Sequence, residues 1–129
     1  MNSSAANNVG ALWLKIAVVY VLIGMLVGLY MGATDQLQYI PVHTHLNLLG
    51  WVTLALAGLV YQIFPRMAAS PLQRWHFWLH NLGLPVSMVS LALVINHRPA
   101  LLPVAIIGAV VVFIGMLLFA INLFRNTKA

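Results

Sequence analysis

Four long apolar runs, at residues 11–31, 42–65, 75–96 and 100–124, alternate with short stretches that collect the charges and prolines. The interruptions are Gly32 to Pro41, Arg66 to Arg74, and the turn His97, Arg98, Pro99. A hydrocarbon core of ~30 Å takes ~20 helical residues to cross, and each run reaches that length. Lipid offers no water to backbone N–H and C=O groups, so each run has to satisfy them within itself, which predicts helix throughout. Connections this short place neighbouring helices side by side and antiparallel. The predicted fold is therefore all-α, an integral membrane antiparallel four-helix bundle forming one domain over residues 1–129, with no soluble module and no internal repeat.

Composition strengthens this picture and narrows the chemistry. The chain is 63% hydrophobic and 5% charged, where a soluble domain carries about 25% charged residues. Its formal net charge is +5, but the cations stand singly rather than in a patch that could follow phosphates, so nucleic acid is excluded as a partner. Cys is absent, which removes disulfides, thiolate metal sites and Cys nucleophiles. Asp35 is the one carboxylate side chain, and chemistry that needs paired acids falls with that count. No phosphate-binding Gly-rich loop, serine nucleophile pattern or dinucleotide fingerprint is present. Five histidines remain.

Charge also predicts orientation. Lys15, Arg66, Arg74, Arg125 and Lys128 fall on one side if both termini share it, against Arg98 on the other. By the positive-inside rule both termini face the cytoplasm of a bacterial inner membrane. The polar leader Met1 to Gly10 carries no cleavage signal, and the first run reads as an uncleaved signal anchor. His43, His45 and His97 then lie near the outer surface, with His76 and His80 toward the inner one. Gly24, Gly28 and Gly32 recur every four residues, and Gly108 and Gly115 share a stripe. Such spacing lets backbones approach within lipid, either inside the bundle or between subunits of a homo-oligomer.

Histidine inside a membrane segment is costly and faces a protein interior, a cavity or a ligand. Successive helical residues turn by about 100°, so His43 and His45 point about 200° apart and cannot face one metal along a regular helix. His76 and His80 are four apart and share a face, a spacing that suits a transition metal or one heme each. Trp75 and Trp78 beside them mark the interfacial belt, where histidine is ordinary. His80 and His97 are 17 residues apart in the chain, about 25 Å along a helix, too far to ligate one iron. Asn47, Gln62, Asn81, Asn96 and Asn122 are placed to hydrogen-bond between helices or to orient an imidazole. Pro85 and Pro103 are expected to bend or begin their helices.

The run His45-Leu46-Asn47-Leu48-Leu49, followed by Gly58, Tyr61 and Pro65, resembles the second transmembrane helix of subunit I of heme-copper oxidases, nearest the nitric oxide reductase branch. Arg66, Phe77-Trp78-Leu79 and Gly83 resemble that family's third helix, so the similarity covers residues 42–90. NnrS-type membrane heme proteins have a comparable helix. The resemblance implies that His45 is an axial ligand of heme b. It implies no oxidase or reductase active site, because the remaining heme, copper and nonheme iron ligands of the family lie on helices without counterpart here. The expected function is b-type heme binding for electron transfer, with a redox partner, or for binding of a diatomic gas such as NO or O2. His97 shares the predicted depth of His45 and is the expected partner ligand, with Arg98 beside it for a heme propionate. His43 and His80 are further candidates, and Met31 is held in reserve. Two other functions stay open. One is copper binding by His43, His45, His97 and Met31, since thioether with imidazole suits copper. The other is an accessory subunit without cofactor.

Overall fold

A computed structural model describes residues 3–127, with side chains from residue 8 onward. Lys128, counted above among the inner-side cations, lies outside the described residues, as do Met1 and Asn2 of the leader. All regular structure among the described residues is helical, and four helical spans are long and apolar enough to cross a membrane. The protein is a multi-pass membrane protein, an all-α four-helix bundle.

The first span, Asn8–Thr34, belongs to a helix that begins at Ser3, so most of the polar leader is helical. The second span, Leu37–Ile63, is a composite of four pieces. A 3-10 turn, Leu37–Tyr39, leads into an α-helix, Ile40–His45, then a π-helix, Leu46–Val52, and an α-helix, Thr53–Ile63. A short helix, Pro65–Ala69, leads to the third span, Pro71–Ile95. The fourth span, Pro99–Asn126, opens with a 3-10 turn and continues as the helix Leu102–Asn126.

The first two breaks are shorter than the sequence predicts, for reasons of proline chemistry. Pro41, expected to end a loop, sits in the first turn of Ile40–His45, where a missing N–H leaves nothing unsatisfied. The second span therefore starts at Leu37 and the first break shrinks to Asp35 and Gln36. Pro71 opens the third helix in the same way, with the Ser70 hydroxyl accepting the Leu72 N–H at 3.2 Å. Pro85 lies within the third helix, which stays continuous around it. His97 ends that helix in the left-handed region (φ 62°), and the Arg98 N–H closes back onto the Leu93 carbonyl at 3.0 Å.

The bundle is two hairpins. In the first, Gly10 crosses Gly58 so closely that a Cβ on Gly10 would lie 2.7 Å from the Gly58 carbonyl oxygen. In the second, a Cβ on Gly108 would lie 2.7 Å from the Ser87 nitrogen and 2.8 Å from the Gly83 carbonyl oxygen. There the Ser87 hydroxyl also donates to the Ala105 carbonyl at 2.8 Å. Side chains join the hairpins: Trp13 and Tyr61 of the first meet His76, Phe77 and Phe119 of the second. Asn122, fully buried, donates to the Met67 carbonyl at 3.0 Å and ties the fourth span to the short helix. Large apolar side chains such as Leu26, Leu29, Phe113 and Phe124 cover the outside, as a lipid-facing surface requires.

Candidate functional site

His43 and His45 diverge, as one regular helical turn dictates. His43 points at the first span, where its Nδ1 lies 2.8 Å from the Gly24 carbonyl oxygen. A carbonyl only accepts, so that nitrogen carries the proton. Asn47, one turn on, donates to the His43 carbonyl at 2.8 Å. Gly24 and Gly28 make room for this pair: a Cβ on Gly24 would meet the Asn47 amide at 2.8 Å, and one on Gly28 would meet the His43 ring at 2.9 Å. The first two glycines of the predicted stripe are thus used within the bundle. Among the described residues nothing lies within 4 Å of a Cβ on Gly32.

His45 points the other way. Its Nδ1 lies 2.6 Å from the Pro41 carbonyl oxygen, so it donates there and leaves the Nε2 lone pair free. His45 is exposed, and its ring stands at the edge of a groove of about 270 Å³ between the second, third and fourth spans. Leu49, Leu84, Met88, Leu91, Ile106 and Val112 form apolar walls, with Ala105 and Ala109 keeping the fourth span's side shallow. Ser87 also reaches this groove, but its hydroxyl is already given to Ala105.

His76 and His80 share one helix face as their spacing predicts, yet they lie in the core rather than in the interfacial belt. Both are fully buried, whereas Trp75 and Trp78 are exposed. His80 donates from Nε2 to the Leu49 carbonyl at 3.0 Å, a carbonyl within the π-helical stretch. His76 Nδ1 lies 2.8 Å from the Tyr61 hydroxyl, and the Trp13 ring packs on His76 at a centroid distance of 4.5 Å. His76 Nε2, His80 Nδ1 and Trp13 Nε1 are buried with no hydrogen-bond partner among the described residues.

His97 and Arg98 are exposed on the turn between the third and fourth spans. Nearby, the Tyr39 hydroxyl and the Asn96 side-chain oxygen meet at 2.7 Å and tie the start of the second span to the end of the third. Met31 is buried in the first span. Among the described residues no group of three or more His, Cys, Asp or Glu gathers as a metal site. The histidines are instead distributed: His43 against the first span, His45 exposed at the edge of the groove, His76 with His80 in the core, and His97 on the turn.

Sequence reasoning missed Met88, Trp13 and Tyr61 as neighbours of these histidines. Met88 had no local mark among six methionines. The pairings of Trp13 and Tyr61 with His76 depend on how the hairpins meet. Comparison of the chain with protein-family models, with characterised proteins and with solved structures gives no match, so the likeness to heme-copper oxidase subunit I rests on the residues quoted above.

Proposed function

We propose that this protein binds heme b in the bacterial inner membrane through His45, with both termini cytoplasmic, and serves electron transfer or the binding of a diatomic gas. The observation that carries this reading is the state of His45. A metal-bound histidine donates its other ring N–H to a carbonyl or carboxylate, which fixes tautomer and orientation. His45 has that arrangement, with Nδ1 on the Pro41 carbonyl and the exposed ring at the edge of the groove.

The surroundings fit a flat apolar ring. The walls are aliphatic, the groove is open on the side of the exposed His45, and Ala105 and Ala109 leave space opposite the second span. At about 270 Å³ the groove is slightly smaller than the ~300–1,000 Å³ of small-molecule sites. Part of a porphyrin would therefore extend toward lipid or a second copy of the chain. Arg98 supplies a cation for a propionate at the same end of the bundle. Heme, when bound, supplies the one-electron couple or the gas-binding iron, and its ligands set which.

The test is the absorption spectrum of detergent-purified protein. A Soret band, with α and β bands on reduction, is expected, and its loss in His45→Ala. A pigment that persists in that variant removes His45 from the ligand set. A colourless preparation holding copper selects the copper function, and one holding neither selects the accessory subunit.

A further inference from the structure

The first and third spans nowhere bring Cα atoms within 8 Å of each other among the described residues. Between them lies a second groove, of about 480 Å³, backed by the buried Val42 and Leu46 of the second span. It opens to lipid past the exposed side chains of Val19, Ile23 and Val89. Its volume falls within the ~300–1,000 Å³ of small-molecule sites.

Two polar side chains stand in this apolar lining. Tyr20 is 8% exposed, and its ring packs on Gly50, where a Cβ would lie 2.6 Å from the Tyr20 Cγ. Unlike the hydroxyls of Tyr39 and Tyr61, that of Tyr20 has no hydrogen-bond partner among the described residues. Asn81 gives its side-chain N–H to the Phe77 carbonyl at 2.9 Å, and its side-chain oxygen is buried without a partner among the described residues. Pro85, one turn on and also in the lining, has no N–H to offer the Asn81 main-chain carbonyl. The groove thus holds a spare O–H donor and spare acceptors.

Both residues lie near the middle of their spans, out of reach of bulk water and lipid headgroups. Trp13 meets Phe77 edge-on at 5.5 Å, which sets the register. Asn81 is one turn farther out and Tyr20 two, and the long Tyr20 side chain leans back toward the N-terminus of its helix, so the two come to one level. An acyl chain would cover the walls and leave these polar groups unpaired, which is costly in hydrocarbon. A charged headgroup would have to shed its hydration to come so deep. A neutral ring with oxygens on its edges and an apolar tail meets both conditions.

We propose that this groove binds a membrane quinone, with the Tyr20 hydroxyl donating to a ring carbonyl of the oxidised form and Asn81 accepting from a ring hydroxyl of the reduced form. The site lies across Met88 from the groove beside His45 and does not rest on the heme reading.

The experiment measures binding of decylubiquinone, and separately of its quinol, to the full chain in phospholipid nanodiscs, against empty nanodiscs. Wild type is expected to bind one molecule per chain saturably. Val89→Trp fills the mouth of the groove from a lipid-facing position and is expected to abolish that binding. Tyr20→Phe keeps the ring on Gly50 and is expected to weaken the quinone about fivefold and the quinol less, and Asn81→Leu the reverse, as the loss of one hydrogen bond dictates. Even if Asn81→Leu folds poorly, Tyr20→Phe and Val89→Trp decide the matter. Uptake no greater than by empty nanodiscs overturns the proposal, as does saturable binding that Val89→Trp leaves unchanged. If Val89→Trp blocks binding while Tyr20→Phe and Asn81→Leu bind both forms like wild type, the groove holds an apolar tail alone and the quinone assignment falls. The heme spectrum is recorded on the same samples, so either reading can fail while the other stands.

Discussion

Replacing Gly108 by Ala tests the closest helix crossing in the second hairpin. The new Cβ would sit 2.7 Å from the Ser87 nitrogen, 2.8 Å from the Gly83 carbonyl oxygen and 2.9 Å from the Ser87 Cα. All three are backbone atoms, so no side chain can swing away, and the third and fourth spans must open by about 0.7 Å to reach ordinary contact. Overpacking of this kind costs about 1–3 kcal/mol. Opening also stretches the 2.8 Å bond from Ser87 to Ala105, and an interhelical bond in a membrane is worth about 0.6 kcal/mol. Against this, Ala gains up to ~1 kcal/mol over Gly in a helix. The net expectation is a loss of about 1–2 kcal/mol. Gly32→Ala is the control, because its Cβ meets nothing within 4 Å among the described residues, and a gain of about 0.5 kcal/mol is expected. The two variants should differ by about 2 kcal/mol, roughly thirtyfold in the unfolding equilibrium. Reversible unfolding in mixed micelles or by steric trapping in bilayers measures that ratio. If Gly108→Ala is as stable as Gly32→Ala, the backbones are not in contact at this crossing and the two-hairpin description is wrong.

Tyr61→Phe keeps the ring that packs on Trp13 and Phe119 but removes the hydroxyl held 2.8 Å from His76. It leaves a buried ring nitrogen unpaired and should cost about 1–3 kcal/mol in the same unfolding assay. Recovery of part of that loss in Tyr61→Phe combined with His76→Phe would confirm the cause, and a stable single variant would refute it. For orientation, Ala100→Cys in the exposed turn should react with a membrane-impermeant maleimide in spheroplasts, whereas Thr127→Cys should react only after lysis; the reverse pattern overturns the inward placement of both termini.

The four spans were legible because lipid leaves a chain so few options: an apolar run of this length without breaks has to become a helix. Their ends were less legible. Pro41 reads as punctuation, yet a first helical turn accepts proline without loss. The π-helical stretch Leu46–Val52 has no local signature. The Leu49 carbonyl there is engaged by His80 from the third span, and the contact of Gly50 with Tyr20 comes from the first. The divergence of His43 and His45 followed from helical geometry alone. The burial of His76 and His80 did not, since a rotation of about 100° per residue separates a lipid-facing Trp75 from an inward His76. Spacing identified the shared face but not the direction in which that face points.

The π-helical stretch acts as a phase shift in the second span. Its hydrogen bonds close over one residue more than those of an α-helix, so everything after Val52 is set back by one position, about 100° of rotation. At one end of the span His45 addresses the groove; at the other, Gly58 and Tyr61 address the first span and His76. Both alignments depend on that surplus residue. Deleting one residue between Leu46 and Val52 would regularise the helix while swinging one end away from its neighbours. The length of this segment is therefore more constrained than the identity of any side chain in it, because a change in length is felt as torque along the whole span.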